Sequence, residues 1–333
     1  MRLSSVALTI SLVALTLSTP GPPAAQASAG GSPPDVVTMV DSTGASWTIE
    51  VPTTTRRDSG PTASVPATTG SGDLADLVGA ELYPVLPPEV ARALAPEERQ
   101  AGTRSVIGAD DRTRITKVTS DPYVQMPLLT YAKPGGDRFM CTGWLYDNRT
   151  LATAAHCLSD GEGTWYSGYE VYFGADGSSA YARCGYNVQA APVGWDGVAG
   201  SPHDWGILVL NCNAGDVLGH LGYKSLSTAP SGNWSVTGYP SDKVSSTSGY
   251  TMWTHSGPVT AADAARWHYQ IDTHGGQSGA PVWRLEAGTS CGNCAIGIHV
   301  AGPLNPTPTS QNTGVRITAT VFEALSAYAR AYP

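Results

Sequence analysis

Hydrophobic residues in the second half of the chain occur in short runs separated by Gly, Asn, Asp and Ser. Runs of this kind, rich in Val, Ile, Tyr and Trp, are typical of β-strands joined by turns. The clearest of them predict strands at 170–174, 207–211, 234–239, 267–271, 280–285 and 295–301. Many short strands at this spacing indicate an all-β sandwich or barrel.

The last hydrophobic pattern of the chain has a different period. Between Ala319 and Arg330, the apolar residues Val321, Phe322 and Leu325 recur at helical spacing, and Tyr328 extends the same face. A single apolar stripe at a period of 3.6 residues is typical of a helix on a domain surface. We therefore predict a C-terminal α-helix packed on the β-structure.

The N-terminus has the pattern of a secretory signal peptide. Arg2 precedes a mostly apolar stretch, Val6–Leu17, and small residues follow up to Ala27. The apolar stretch is too short to span a bilayer. We predict a signal peptide at 1–27. No later run of 18 apolar residues occurs, so we expect no membrane anchor.

Residues 28–104 have the composition of a propeptide. The part from 28 to 72 is rich in Pro, Gly, Ser and Thr, and we expect it to be flexible because it has few large apolar residues to bury. The part from 73 to 100 has apolar residues at helical spacing, which predicts helix. These residues are Leu74, Leu77, Val78, Leu82, Val90 and Leu94.

Composition narrows the functional classes. The 333 residues include 19 Lys plus Arg against 27 Asp plus Glu, a formal net charge of −8. A nucleic-acid-binding protein needs clustered basic residues for phosphate contacts, so we expect no nucleic-acid partner. Apolar residues make up 41% of the chain, which is enough for a sizeable core.

All six cysteines lie after residue 140. An even number of cysteines in an exported chain indicates disulfides, although six cysteines allow fifteen connectivities. We prefer the pairs Cys141 with Cys157, Cys184 with Cys212, and Cys291 with Cys294. The last pair could instead bind zinc or act in redox chemistry, but a structural zinc site needs four ligands and no second pair of this kind is present.

Three local motifs together predict nucleophilic catalysis. They are Thr-Ala-Ala-His-Cys at 153–157, His-Asp-Trp-Gly-Ile-Leu-Val at 203–209, and Asp-Thr-His-Gly-Gly-Gln-Ser-Gly-Ala-Pro at 272–281. A serine becomes a nucleophile when a histidine removes its proton and a buried carboxylate orients that histidine. Glycines before the serine allow backbone N–H groups to face a developing oxyanion. The chain order His156, Asp204, Ser278 is that of chymotrypsin rather than of subtilisin or the α/β-hydrolases.

With these motifs, the second part of the chain resembles the bacterial glutamyl endopeptidases, secreted serine proteases of chymotrypsin fold. The resemblance begins at Ser105 or Val106 and extends to the C-terminus. Four further segments support it: 105–114 (Ser-Val-Ile-Gly-Ala-Asp-Asp-Arg-Thr-Arg), 141–144 (Cys-Thr-Gly-Trp), 253–258 (Trp-Thr-His-Ser-Gly-Pro) and 297–299 (Gly-Ile-His). The resemblance implies an all-β mature domain, residues 105–333, of two six-stranded barrels with the catalytic groups in the cleft between them.

By position, the resemblance assigns His156 as general base, Asp204 as the group that orients it, and Ser278 as nucleophile. The N–H groups of Gly276 and Ser278 are assigned to the oxyanion hole.

The family cuts after Glu and sometimes after Asp. Thr273 and His299 match the side chains that meet the substrate carboxylate in its primary pocket. A hydroxyl and an imidazole can satisfy an anion that would otherwise be costly to bury. Without the resemblance, a structural histidine would be the better interpretation of His299.

Asp272 points to an alternative specificity. It lies six residues before Ser278, where trypsin-like enzymes have the aspartate that binds Lys or Arg. An exposed carboxylate there would repel a Glu substrate. Some members of the family have an aspartate here, so we expect Asp272 to be turned away or paired, with basic specificity as the alternative.

Activation should also differ from that of trypsin-like enzymes. There the new N-terminal amine pairs with an aspartate immediately before the serine, but this chain has Gln277, so that switch cannot operate. In the family, the mature amino terminus lies near the primary pocket and adds positive charge. Ser105 or Val106, whichever is terminal, is therefore expected to complete the pocket.

The implied cut follows Arg104, which a Glu-specific enzyme would not make efficiently. We therefore expect an activating protease of basic specificity, with self-cleavage near Glu97 or Glu98 as an optional earlier step.

The other expected partners are protein or peptide substrates, and we expect a secreted monomer that needs no cofactor. Two alternatives are less favoured. His203 and His274 could be metal ligands, but solvent-edge histidines are commoner. A non-catalytic binding protein of the same fold would normally have lost a catalytic residue, and this chain retains all three.

Overall fold

The computed structural model describes residues 35–52, 61–86, 104–245, 247–303 and 309–333. The predicted signal peptide, 1–27, lies outside these residues. The strands of the first half are β1 (Asp35–Asp41), β2 (Ser46–Val51), β3 (Pro61–Val65), β4 (Glu81–Leu82), β5 (Arg104–Ser105), β6 (Thr113–Ile115), β7 (Leu128–Ala132), β8 (Arg138–Thr142), β9 (Trp144–Leu145), β10 (Thr150–Thr153) and β11 (Ser167–Phe173).

The strands of the second half are β12 (Ala182–Cys184), β13 (Tyr186–Pro192), β14 (Gly206–Leu210), β15 (Gly222–Leu226), β16 (Asn233–Gly238), β17 (Met252–Ala262), β18 (Arg266–Tyr269), β19 (Thr273–His274), β20 (Pro281–Glu286), β21 (Gly292–Ala301) and β22 (Asn312–Arg316). The α-helices of the described residues are α1 (Ala214–Leu218) and α2 (Ala319–Ala331).

Six strands close the C-terminal barrel in the order β16, β17, β18, β22, β21 and β20. Strand β20 closes the ring because it pairs with both β16 and β21. The inward side chains form a core that includes Trp234, Trp267, Tyr269 and Ile271. These residues belong to the Val-, Ile-, Tyr- and Trp-rich runs from which the strands were predicted.

The N-terminal barrel is built from two sheets that share bent strands. One sheet contains β13, β14, β10 and β9, and the other contains β12, β11, β7 and β8. Strand β8 continues into β9, and β12 continues into β13. The two sheets therefore close into one barrel, and together the barrels form the predicted all-β double-barrel fold of the chymotrypsin type.

The predicted strands are confirmed with small shifts at their ends. The run predicted at 170–174 forms Ser167–Phe173, and the run predicted at 295–301 begins earlier, at Gly292. The C-terminal helix is also confirmed. The Thr318 hydroxyl caps it by accepting the N–H of Val321, and the predicted apolar face is buried.

The three preferred disulfides form: Cys141–Cys157, Cys184–Cys212 and Cys291–Cys294. The first joins β8 to the turn that contains His156. It therefore ties a catalytic candidate to the barrel wall.

Two expectations for the region before residue 105 are wrong. Residues 35–52 and 61–72 were expected to be flexible, but they include β1, β2 and β3, which pair with each other or with β13 and β15. These polar, turn-rich sequences gain backbone hydrogen bonds from sheets that already exist, which local composition does not indicate.

The predicted helix at 73–100 is absent from its described part, 73–86. This part contains a single 3₁₀ turn, Leu74–Asp76, and the short strand β4. Of the apolar residues at helical spacing, Leu77 is buried in the core, whereas Val78 and Leu82 are exposed, so the spacing does not mark one buried helix face. The remainder of the predicted helix lies outside the described residues. No helix in the described part of the chain is long and apolar enough to cross a membrane.

Candidate active site

His156 lies in a 3₁₀ turn, Ala155–Cys157, immediately after β10. Its Nδ1 atom is 2.8 Å from Oδ2 and 3.0 Å from Oδ1 of Asp204. The imidazole is partly exposed to the cleft, whereas the carboxylate is fully buried. This geometry fixes the ring orientation and favours the tautomer in which Nε2 can accept a proton.

Asp204 lies in the loop before β14 and is satisfied by three donors. Besides the imidazole, its carboxylate accepts the backbone N–H of His156 at 3.0 Å and that of Gly200 at 2.7 Å. A buried carboxylate is costly unless it is hydrogen-bonded. The loop that holds Asp204 therefore supplies part of its stabilisation.

Ser278 lies in the loop between β19 and β20. Its carbonyl oxygen accepts the N–H of Thr142 at 2.9 Å, which holds this loop against β8. Because β8 is also joined to the His156 turn by the disulfide, the serine loop and the histidine turn are attached to the same strand. In the structure the Ser278 hydroxyl forms no hydrogen bond with His156; such contacts often form only when substrate binds.

The N–H groups of Gly276 and Ser278 were predicted to form the oxyanion hole, and the carbonyl groups that precede them have other partners. The carbonyl of Gly275 accepts the N–H of Ser241, and the carbonyl of Gln277 accepts the N–H of Ala280. In a trans peptide the N–H points opposite to the C=O, so these bonds turn the N–H groups of Gly276 and Ser278 the other way. Within the described residues, neither N–H donates to a protein acceptor.

Glycine is required at position 276. Its φ angle is +89°, and a Cβ would lie 2.4 Å from the carbonyl oxygen of Tyr239. Any other residue would be strained and would displace the loop.

Gln277 is fully buried and holds the same loop closed. Its side-chain oxygen accepts the N–H of His274 at 3.0 Å. Trypsin-like enzymes have an aspartate at this position that pairs with the new amino terminus. In this chain Gln277 instead binds the main chain of its own loop.

The candidate primary pocket contains Thr273 and His299, which are both buried. Asn312 donates to the Thr273 hydroxyl at 3.2 Å. The His299 Nδ1 atom is 2.8 Å from the hydroxyl of Tyr269 on β18. Burial lowers the pKa of His299 to about 3, with the nearby His156 adding to the shift and the main chain of Thr313 opposing it. His299 is therefore neutral near pH 7 and offers one ring N–H.

Asp272 does not face the pocket as a free carboxylate. It is 1% exposed, and its two oxygens accept the N–H groups of Ile107 at 2.8 Å and Asp111 at 2.9 Å. Its own N–H donates to Nδ1 of His255 at 2.7 Å. The prediction that Asp272 is turned away or paired is confirmed, and His255 has a structural contact.

The segment that Asp272 binds runs beside the pocket. The short strand β5 pairs with β19, which places Ser105 opposite Thr273, and Val106 follows directly. Further along, the buried guanidinium of Arg112 binds the carboxylates of Asp110 and Asp242. Asp272 and Arg112 therefore hold this segment at two points.

Comparison with known proteins identifies the family. The chain is 33% identical over 243 residues to the glutamyl endopeptidase of Bacillus licheniformis, covering 72% of this chain and 73% of the relative. This chain belongs to the glutamyl endopeptidase family.

Other comparisons agree on the protease domain of this family member. A trypsin-like peptidase domain model matches residues 141–292. A solved Glu endopeptidase in complex with MPD is similar, with a TM-score of 0.58 and 28% identity, covering 68% of this chain and 99% of the solved chain. The chain is a serine endopeptidase of chymotrypsin fold.

One relative of this chain is named as a metalloprotease and not as a glutamyl endopeptidase. A Bacillus subtilis protein named "Extracellular metalloprotease" is 35% identical over 229 residues, covering 68% of this chain and 70% of the relative. In the described residues, two clusters have metal-ligand composition. The cysteines of one form a disulfide, and in the other Asp272 and His255 are engaged by backbone N–H groups. Neither cluster favours a metal site, and His203 and His274 are not part of either.

Sequence reasoning did not identify the residues that support the pocket. Tyr269 and Asn312 contact His299 and Thr273 across 30 and 39 residues of sequence. No local motif marks such contacts. Arg112 lies in segment 105–114, which carries part of the family resemblance. Nothing in the sequence indicated that Asp242 is its partner.

Proposed function

We propose that this member of the family is a secreted endopeptidase, made as a precursor, that cleaves peptide bonds preferentially after glutamate. In the first step, Oγ of Ser278 attacks the peptide carbonyl carbon while Nε2 of His156 takes the hydroxyl proton. Asp204 stabilises the imidazolium, and the N–H groups of Gly276 and Ser278 bind the oxyanion.

The proton on His156 is then transferred to the leaving nitrogen, the C–N bond breaks, and an acyl-enzyme remains. Water attacks the ester, its proton passes to His156, and the acid product leaves as the proton returns to Ser278. These side chains and backbone groups suffice for every step without a cofactor.

Glutamate selectivity is ascribed to the pocket. The neutral His299 donates Nε2–H when the Tyr269 hydroxyl donates to Nδ1, and Thr273 offers a hydroxyl. Both can bind a substrate carboxylate in a site that excludes water, where hydrogen bonds to a charged group are strong. The observation on which this rests is the engagement of Asp272 by the Ile107 and Asp111 N–H groups, because both oxygens of the carboxylate that could favour Lys or Arg are then already bound.

In this proposal, cleavage after Arg104 adds a positive charge beside the pocket, the new amino terminus of Ser105. In the uncut chain the Ser105 nitrogen belongs to a neutral amide next to Thr273. Hydrolysis converts it to an ammonium group, which attracts the glutamate side chain electrostatically. The precursor would therefore bind glutamate weakly, and an activating protease of basic specificity would switch on selectivity.

A peptide library tests the specificity. We would incubate the protein beginning at Ser105 with peptides that vary the residue before the cut and sequence the products. Cuts after Glu, with fewer after Asp, are expected. Cuts after Lys or Arg would instead support the alternative in which Asp272 selects basic residues.

A serine-directed fluorophosphonate tests the catalytic roles independently of specificity. Labelling of the native protein at Ser278, and its absence in Ser278→Ala, is expected for the enzyme. A non-catalytic binding protein of the same fold would not be labelled in either form.

The processing step has a separate test. A Ser278→Ala precursor incubated with trace mature enzyme should not be converted cleanly to a product beginning at Ser105, whereas a protease of basic specificity should make that product. Clean conversion by the mature enzyme alone would contradict the need for a second protease.

A further inference from the structure

Residues 35–52 and 61–86, which we call the N-terminal segment, add strands to the N-terminal barrel and to the sheet that contains the C-terminal barrel. Strand β1 pairs with β13, β3 with β15, and β4 with β12, all antiparallel. A strand edge presents unpaired N–H and C=O groups that can accept an added strand. The N-terminal segment covers three such edges.

Apolar packing accompanies the strand pairing. Four side chains of the segment are buried in the core cluster that includes the N-terminal barrel, namely Val37, Met39, Leu77 and Leu86. In addition, the Trp47 ring stacks on Tyr328 and Tyr332 at centroid distances of 4.9 and 6.0 Å, which joins β2 to the C-terminal helix. The segment therefore shares the hydrophobic core of the protease as well as its sheets.

Polar contacts fix the rest of the segment. The Asn213 side chain accepts the N–H of Val78 at 2.7 Å and donates to the carbonyl of Asp76 at 3.0 Å. Glu81 forms an ion pair with Arg183 at 2.5 Å. The amide of Asn213 thus satisfies backbone groups of Asp76 and Val78 that would lose this partner if the segment were released.

The segment has no covalent bond to the mature domain apart from the peptide chain. All cysteines of the protein lie after residue 140, so no disulfide can hold it. We propose that the N-terminal segment remains bound after the chain is cut between Leu86 and Ser105, as a noncovalent subunit of the protease that completes its sheet edges. The proposal rests on the proposed processing of the precursor.

The glutamates before Ser105 are placed so that a protease that cuts after glutamate would leave the bound segment intact. In its described part the segment has two, Glu50 in β2 and Glu81 in β4, and both lie in paired strands. A protease needs a free extended backbone, which paired strands do not offer. Three more glutamates, at 89, 97 and 98, lie between the segment and Ser105, where cleavage would leave the segment whole.

A bound segment would not obstruct catalysis. Its described part makes no hydrogen bond to His156, Asp204 or Ser278. Instead, the carbonyl of Thr38 in β1 accepts the N–H of Val193, at the start of the loop that leads to Asp204. The segment therefore supports the base of a catalytic loop, and we expect its removal to lower the thermal stability of the mature domain.

The test uses the exported chain, residues 28–333, with Ser278→Ala to prevent self-digestion and a cleavage site for a sequence-specific viral protease placed between Leu86 and Arg104. After complete cutting, the sample is passed through a size-exclusion column and analysed by native mass spectrometry. We expect one species that contains both fragments in equal amounts. Separation of the two fragments at micromolar concentration would overturn the proposal. The measurement needs no activity, so its outcome is independent of the proposed catalytic function.

Variants test the edge contacts. Met39→Lys places a charge in a fully buried site, and Trp47→Ala removes the stacking at a partly exposed one. Both should lose the fragment after cutting, whereas Glu50→Lys, at an exposed position of β2, should retain it. Circular dichroism before cutting checks folding, and Trp47→Ala is the deciding variant if Met39→Lys does not fold. Retention of the fragment by Trp47→Ala at the level of Glu50→Lys would overturn the role assigned to the edge contacts.

Discussion

His156 lies beside a fully buried carboxylate, whereas His299 is buried with the hydroxyl of Tyr269 as the partner of its Nδ1 atom. Three donors reach the carboxylate of Asp204. Burial of His299 disfavours its charged form and lowers its pKa to about 3. The first site is suited to an imidazole that gains a proton during reaction, and the second to an imidazole that stays neutral.

The difference shows why two histidines near one another can have different roles in the proposed mechanism. A transient cation needs a fixed anion beside it, since an isolated charge in a buried site is costly. A neutral donor needs only a partner that fixes its tautomer. Substitutions at the His156 site should therefore lower mainly turnover, and substitutions at the His299 site should alter mainly substrate selection.

The largest effect is expected from Asp204→Asn. The amide keeps the shape of the carboxylate but donates to Nδ1 or leaves it unpaired, so the tautomer needed to accept the serine proton is disfavoured. We expect kcat to fall about 10⁴-fold. Steady-state kinetics with a glutamyl peptide will measure it. Asp216→Asn, an exposed acid remote from the cleft, is the control; a loss below tenfold for Asp204→Asn would contradict the assigned role.

His299→Gln should impair selection more than reactivity. Glutamine retains a donor but loses the fixed ring geometry, so kcat/KM for glutamyl peptides should fall about 10² to 10³-fold. Fluorophosphonate labelling of Ser278, which needs no substrate carboxylate, should change little. An equal loss in both assays would mean that His299 acts on the catalytic groups and not on the pocket.

The pKa of His299 also predicts how stability depends on pH. The folded-state pKa, about 3, is below the unfolded value of about 6.5, so the unfolded chain binds the extra proton between these two pH values. Stability therefore rises with pH through this window and falls on acidification. This group should contribute a loss of about 2 kcal/mol between pH 6.5 and 4.5. Urea unfolding of Ser278→Ala with and without His299→Gln measures the difference; identical pH dependence would show that His299 does not titrate in this way.

Local patterns were sufficient for the six strands predicted from them and for the C-terminal helix, and they marked the three motifs of the candidate active site, because each is encoded within a short stretch of sequence. Disulfide formation was predicted from the even number of cysteines and the predicted export, and the three pairs were a preference among fifteen connectivities. The strands β1 to β4 were missed because they are stabilised by edges of other sheets and not by their own composition. Tyr269 and the partners of Asp272 were missed for the same reason, since their contacts are distant in sequence.

Asp272→Asn addresses one of these distant contacts. The amide can still accept one backbone N–H, but the other of Ile107 and Asp111 meets an NH₂ group, so the segment near Ser105 should loosen. We expect kcat/KM for glutamyl peptides to fall about tenfold, without any gain for lysyl or arginyl peptides. The peptide library described above provides the measurement, with Asp263→Asn, a partly exposed acid elsewhere on the C-terminal barrel, as the control. Loss of an existing activity toward basic residues would instead indicate that Asp272 faces the substrate.

The smallest effect is expected from Tyr269→Phe, which keeps the ring and removes the hydroxyl that contacts His299. Without this donor the imidazole can place its proton on either nitrogen, and the fraction with Nε2–H available to the substrate falls. A neutral hydrogen bond contributes about 1 kcal/mol, so kcat/KM for glutamyl peptides should fall about fivefold. Nitrogen NMR shifts of the His299 ring report the tautomer directly, and Tyr181→Phe, which removes a hydroxyl outside the pocket, is the control. A lower kcat/KM with an unchanged tautomer would assign Tyr269 a packing role, because only the proposed positioning role requires both to change together.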